Sequence, residues 1–220
     1  MKTNHNFFST LALNLAEKNL GKTKTNPSVG CVIVKDGSVI SSAVTSVNGR
    51  PHAEFNALNK KIDFKGAYMY VTLEPCNHYG KTPPCTKIII KSGIEELLYS
   101  INDIDNKVKG KSFKILRKKK IRVKKGLLKN EAMELYESYK INRKLKLPFV
   151  TAKIAVSKNN IIYSQSIKRI TDKTSDKLSH YLRLKNEAIM ISCNTLNIDN
   201  PRLSCRLKGY ENFSPKRIIL

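Results

Sequence analysis

The stretch Thr72-Leu-Glu-Pro-Cys-Asn-His-Tyr-Gly-Lys-Thr-Pro-Pro-Cys85, read with His52-Ala53-Glu54 upstream of it, decides how this chain folds and what chemistry it carries. Residues 67–73 are strand-like and run into Glu74-Pro75-Cys76. Pro83 and Pro84 place proline at the opening turn of a helix over 85–91, and residues 52–60 alternate in a helical manner behind His52. One imidazole and two thiolates are thereby set at the ends of regular elements. A catalytic zinc site needs three protein ligands and one open position, and thiolates near helix N-termini are favoured by the helix dipole. His52, Cys76 and Cys85 are therefore read as ligands of Zn2+. Glu54, two residues after His52, can be aimed at a water rather than at the metal. A zinc ion lowers the pKa of water to about 7 from about 15.7, and a carboxylate that is not a ligand then moves the protons. Two plainer readings stay open: a closed structural knuckle with His78 as fourth ligand, and a buried histidine beside two core cysteines. His78, in the loop between the cysteines, is read as facing substrate. Cys31, Cys193 and Cys205 are read as core.

Working outward, Phe8, Leu11, Ala12, Leu15 and Ala16 recur at helical spacing and predict a helix over 6–19. Residues 29–34 and 39–45 flank the turn Lys35-Asp36-Gly37 as a hairpin. Residues 94–100, a helix near 109–119, a strand over 121–125 and a helix over 131–142 complete a three-layer α/β/α pattern ending near residue 145. Asn142 to Pro148 is charged and closed by proline, as a connection would be. Beyond it the pattern predicts a strand over 149–156, a helix over 172–184, a buried strand over 187–192 and a further strand from Arg217. The expected division is a domain over 1–145 and a shorter α/β portion over 148–220.

The 220 residues carry 41 Lys and Arg against 17 Asp and Glu, a formal charge of +24. Between Lys107 and Lys129 there are twelve basic residues and no acidic one. Few aromatics interleave with them, so a solvated basic face is preferred to a nucleic-acid groove, and the phosphate of a small substrate is a third reading. No unbroken apolar stretch is long enough for a transmembrane helix. Five scattered cysteines do not make a disulfide framework. The expectation is a soluble, cytoplasmic protein.

The run from Thr72 to Cys85 resembles the bifunctional deaminase/reductase family of riboflavin biosynthesis. Nucleobase deaminases at large place two residues between their cysteines, whereas here there are eight. Thr25-Asn-Pro-Ser-Val-Gly30 and the hairpin Val-Ile-Val-Lys-Asp-Gly37 match the same family. The resemblance implies a cytidine-deaminase-like fold and a small phosphorylated substrate, diaminohydroxyphosphoribosylaminopyrimidine. It makes Asn26, His78 and Lys81 substrate-binding candidates. Asn26, before Pro27, reads equally as a turn residue.

The second portion resembles the family's dihydrofolate-reductase-like domain, which uses NADPH. Lys153-Ile-Ala-Val-Ser157 is similar to its first strand, and Thr195-Leu-Asn-Ile-Asp-Asn-Pro-Arg-Leu-Ser-Cys-Arg206 to a later segment. The resemblance places Val156, Thr195 and Asp199 toward NADPH, and Arg183 and Arg206 toward substrate. A reductase of that family continues past the position of Leu220, so the expectation is a partial domain without reductase activity. Self-association is expected from the same resemblance. Two other classes remain as alternatives: a deaminase acting on tRNA or other nucleic-acid bases, motivated by the charge, and a noncatalytic zinc-stabilised fragment.

Overall fold

A computed structural model describes residues 4–80, 82–162 and 170–220. The chain falls into two compact units, residues 1–149 and 150–220.

The first unit opens with helix α1 (His5–Lys18), whose first turn is capped by the Asn4 side chain accepting from the Phe7 amide. Strands β1 (Gly30–Lys35) and β2 (Ser38–Val44) form the expected hairpin. Its two-residue turn, Asp36-Gly37, has positive φ at both positions, the geometry that matches strand twist. Helix α2 (Ala53–Leu58), strand β3 (Tyr68–Leu73), helix α3 (Cys85–Ser92), strand β4 (Glu96–Ile101), helix α4 (Lys111–Lys118) and strand β5 (Arg122–Lys125) follow. Helices α5 (Lys129–Leu135) and α6 (Glu137–Leu145) end the unit. A single helix was expected over 131–142. It is broken at Tyr136, whose buried ring and hydroxyl are drawn inward to Ser28 and Thr72. The proposed connection at 142–148 is correspondingly helical as far as Leu145.

The sheet order is β2-β1-β3-β4-β5, antiparallel at β2-β1-β3 and parallel at β3-β4-β5. Side chains alternate across it. Cys31 and Ile33 join the core shared with Ala53, Ala57 and Ile89 of α2 and α3, whereas Val32 and Val34 join Phe8 and Ala12 of α1. This makes the α/β/α layering of a cytidine-deaminase-like unit. Gly30 permits the closeness of α1, since a Cβ there would run into the Ala12 carbonyl. All twelve basic residues between Lys107 and Lys129 are exposed, a solvated face.

The second unit contains helix α7 (Lys173–Lys185), strand β6 (Ala188–Ile191), helix α8 (Cys193–Asp199) and strand β7 (Lys216–Ile219), with β6 and β7 parallel. Two expectations are corrected here. Residues 149–156 form no strand, because an extended apolar run becomes one only where a neighbour supplies a ladder, and β6 and β7 are hydrogen-bonded to each other alone among the described residues. Strand β6, expected to be buried, leaves Ala188 and Met190 exposed. Cys31 and Cys205 are buried, but Cys193 is exposed at the first position of α8, where Ser192 caps the helix.

Candidate metal centre

His52 is the N-cap of α2, held extended, so its ring leaves the helix end while Glu54 enters the first turn. Cys76 follows β3 through Glu74-Pro75, and Cys85 is the first residue of α3 behind Pro84. The His52 Nδ1 atom lies 3.6 Å from Cys76 Sγ and 3.4 Å from Cys85 Sγ, and all three ligand atoms fall within 4.8 Å of one another. Tetrahedral zinc with ordinary Zn–N and Zn–S bonds would set N and S about 3.6 Å apart and the two sulfurs about 3.8 Å apart. The donor set fits that ion in both kind and spacing.

The surroundings favour ligand charge. The Cys85 amide donates to Cys76 Sγ at 3.3 Å. Hydrogen bonding from Cys85 and His52, against the effect of burial, lowers the Cys76 thiol to about 4. The Cys76 hydrogen bond raises His52, and hydrogen bonding to Cys76 together with burial raises Cys85. Glu54 is 3% exposed, and burial raises its carboxyl to about 7 despite the opposing charge of His52. A carboxyl so placed can hold or release a proton near neutrality.

Two residues missed in the sequence build the scaffold around these groups. Glu74 is buried and accepts from the amides of Asp103, Gly110 and Ser112 at 3.3, 2.8 and 3.1 Å, while Ser112 Oγ donates to the Pro75 carbonyl at 2.6 Å. The segment delivering Cys76 is thus pinned to the start of α4. Arg50 donates from Nη1 to Thr82 Oγ1 at 3.0 Å, joining the turn before His52 to the loop between the cysteines. An acidic residue directly before Pro-Cys was the available signal for Glu74, whereas Arg50 had none.

Of the remaining candidates, Asn26 donates from Nδ2 to the Gly49 carbonyl at 3.1 Å, which supports the turn ahead of His52. His78 is half-buried in the intercysteine loop, and its Nδ1, like Asn77 Nδ2, is buried with no hydrogen-bond partner among the described residues. Lys81 lies outside the described residues.

Residues 2–101 match the family model described as the cytidine and deoxycytidylate deaminase zinc-binding region. The riboflavin biosynthesis protein RibD of Aquifex aeolicus is 39% identical over 216 residues, covering 97% of this chain and 60% of the relative. That of Escherichia coli is 34% identical over 203 residues, covering 91% and 55%. A solved diaminohydroxyphosphoribosylaminopyrimidine deaminase/5-amino-6-(5-phosphoribosylamino)uracil reductase from Thermotoga maritima superposes with a TM-score of 0.89 at 39% identity, covering 97% of this chain and 62% of that one. Over nearly its whole length the chain is similar to RibD proteins. It spans about 60% of the length of these RibD relatives, and the match runs through both of its units.

Within the second unit, RibD resemblance singled out five residues, and the structure brings two of them together. Arg183 Nη1 donates to the Ser204 carbonyl at 3.1 Å and lies 3.4 Å from His180 Nδ1, which accepts from the Arg206 amide at 3.1 Å. Burial, then Arg183 and Arg206, lowers the His180 pKa. Thr195 and Asp199 stand one turn apart on α8. The Thr195 hydroxyl is 3.1 Å from that of Ser192, and Asp199 is exposed at the helix end. Val156 is exposed in the extended stretch after residue 149.

Proposed function

We propose that residues 1–145 are a zinc-dependent deaminase domain acting hydrolytically on diaminohydroxyphosphoribosylaminopyrimidine in riboflavin biosynthesis. The observation that carries this reading is the convergence of His52 Nδ1, Cys76 Sγ and Cys85 Sγ, with the buried Glu54 two residues after His52. His52, Cys76 and Cys85 would hold the ion. A bound zinc ion supplies a Lewis acid that makes water a nucleophile at neutral pH. Glu54 would take a proton from the attacking water and give it to the ring nitrogen next to the amine-bearing carbon; it would then take the proton of the newly added hydroxyl and pass it to the amino group, which leaves as ammonia as the carbonyl forms. Burial suits Glu54 to both halves of that cycle, because a carboxyl titrating near neutrality is an effective base and an effective acid. In this reading Asn26, His78 and Lys81 are the substrate contacts of the first unit.

Residues 148–220 correspond, in this reading, to the first part of the relatives' reductase domain, with Arg183 and Arg206 toward a substrate phosphate and Val156, Thr195 and Asp199 toward NADPH. Thr195 is already engaged by Ser192, the N-cap of α8, through its amide and its hydroxyl, and Val156 and Asp199 are exposed, so these three do not by themselves make a nucleotide site. The proposed activity therefore rests on the first unit. A cytoplasmic location and self-association belong to the same reading. No helix among the described residues is long and apolar enough to cross a membrane.

The test is ammonia release from the pyrimidine substrate by zinc-loaded protein. Stoichiometric zinc with substrate-dependent ammonia is the expected result. Stoichiometric zinc without ammonia would leave a structural metal site and overturn the proposal.

A further inference from the structure

Arg50 sits two residues ahead of His52, so their Cα atoms are at most about 7 Å apart. Its backbone is held on both sides. The Asn26 side chain donates to the Gly49 carbonyl, the Gly49 amide donates to the Ser46 carbonyl, and the Ser46 amide donates to the Pro51 carbonyl. Asn56, on α2, completes the brace by donating to the Val44 carbonyl and to Ser46 Oγ, both at 2.9 Å. The half-buried guanidinium then reaches across to the intercysteine loop, with Nη1 on Thr82 Oγ1 at 3.0 Å and Nη2 against Gly80.

That guanidinium forms no ion pair with a carboxylate among the described residues. Arginine offers five N–H donors in a rigid fork, and the Thr82 bond uses one. Holding a half-buried cation without a counter-ion costs free energy, and a planar fork of this kind matches the oxygens of a phosphate. The same loop also carries Asn77 Nδ2 and His78 Nδ1, both buried and without a hydrogen-bond partner among the described residues. Lys87 is a weaker candidate for this task, since its Nζ already donates to the Tyr79 hydroxyl at 2.9 Å.

We propose that Arg50 grips the phosphate of the pyrimidine substrate and sets the preference for a phosphorylated over a dephosphorylated riboside. The inference rests on the deaminase reading above. It makes Arg50 a specificity-determining residue: the ring stands at the metal while the phosphate, a ribose away, meets the guanidinium at the rim.

The experiment compares kcat/KM for the phosphorylated substrate with that for the same compound after phosphatase treatment, in wild type, Arg50→Ala and Arg50→Lys, with zinc content recorded for each. The ratio of the two kcat/KM values should fall on the order of tenfold to a hundredfold in Arg50→Ala, the range for losing charge-assisted hydrogen bonds, and recover in part in Arg50→Lys. A ratio equal to wild type, with both substrates slowed alike, would make Arg50 only a strap for the Thr82 loop and overturn the proposal. Should Arg50→Ala fail to hold zinc, the ratio in Arg50→Lys decides on the same criterion, with a severalfold fall expected. Wild-type protein that releases ammonia from neither compound overturns the deaminase reading itself, a result distinct from an unchanged ratio.

Discussion

Strands β1 and β6 are both apolar runs in the sequence, yet β1 is buried from Gly30 to Val34 whereas β6 exposes every second residue. The difference lies in their neighbours. β1 has a strand on each side and helices over both faces. β6 has one strand beside it, and parallel strands of this kind are ordinarily covered on both faces. The first unit accordingly holds two core clusters, while in the second the buried apolar side chains are Leu184, Leu203 and Cys205 among the described residues. Apolar sequence marks what can be buried, and the partners present decide what is.

The largest expected effect would break the comparison at the chemistry. Glu54→Gln should cut ammonia release on the order of a thousandfold with zinc still bound, the scale of lost general acid–base catalysis. A polar change in the other unit, Met190→Ser, should leave the rate alone. Equal rates in wild type and Glu54→Gln would remove Glu54 from the reaction. Stripping the metal with a chelator, or replacing Cys85 with Ser, should lower the melting temperature of the first unit by many degrees, because binding free energy is also folding free energy. The second unit should be unmoved, which amide hydrogen exchange reads unit by unit. Exchange slowing equally in both units on metal addition would mean that the metal's effect is not confined to the first unit.

Packing gives the next step down. Gly30→Val should cost about 3 kcal/mol or more, since its side chain would run into the Ala12 carbonyl of α1, and Leu184→Ala about 2–3 kcal/mol. Denaturant titration of each variant checks the order, and a Gly30→Val protein as stable as wild type would mean that α1 is not fastened there. The smallest effect concerns acid. Burial works against ionisation of Glu96, but Lys124 at 2.8 Å and Arg122 at 3.2 Å hold its carboxyl below the ordinary value. Its folded pKa is depressed, so its stabilisation is present above about pH 4.5 and disappears as pH falls through the folded value. Both cations are more than half exposed, which limits the contribution to about 1 kcal/mol or less. Glu96→Gln should therefore be slightly less stable than wild type at pH 7 and match it near pH 3, by urea unfolding at the two values.

The proximity of His52, Cys76 and Cys85 was legible because each is tied to the end of a helix or strand whose period shows in the sequence. Glu54 was legible through its offset from His52. Arg50 was not, since a cation in a Gly-Arg-Pro turn has no period and its partner Thr82 lies across the site. Glu74 showed only as an acidic residue directly before Pro-Cys; its task was hidden, because the three amides it gathers come from 29 to 38 residues onward and no local pattern announces them. The break at Tyr136 was masked by good helical character on either side. In the second unit, the expected strand over 149–156 failed because propensity cannot supply a pairing partner.

The Tyr136 hydroxyl, donating to the Ser28 carbonyl across 108 residues, also bears on how the molecule is made. Ser28 stands at the entrance to the first strand, and Tyr136 belongs to nearly the last helical turn to close over the sheet. Every group at the candidate metal centre leaves the ribosome before Tyr136 does. The nascent chain can therefore bring its thiols and imidazole together while one side of the sheet is still open to solvent. Long-range closures of this kind are the slow part of folding. The tyrosine hydroxyl is thus the late-synthesised end of a bond that ties the closing layer to the start of the first strand.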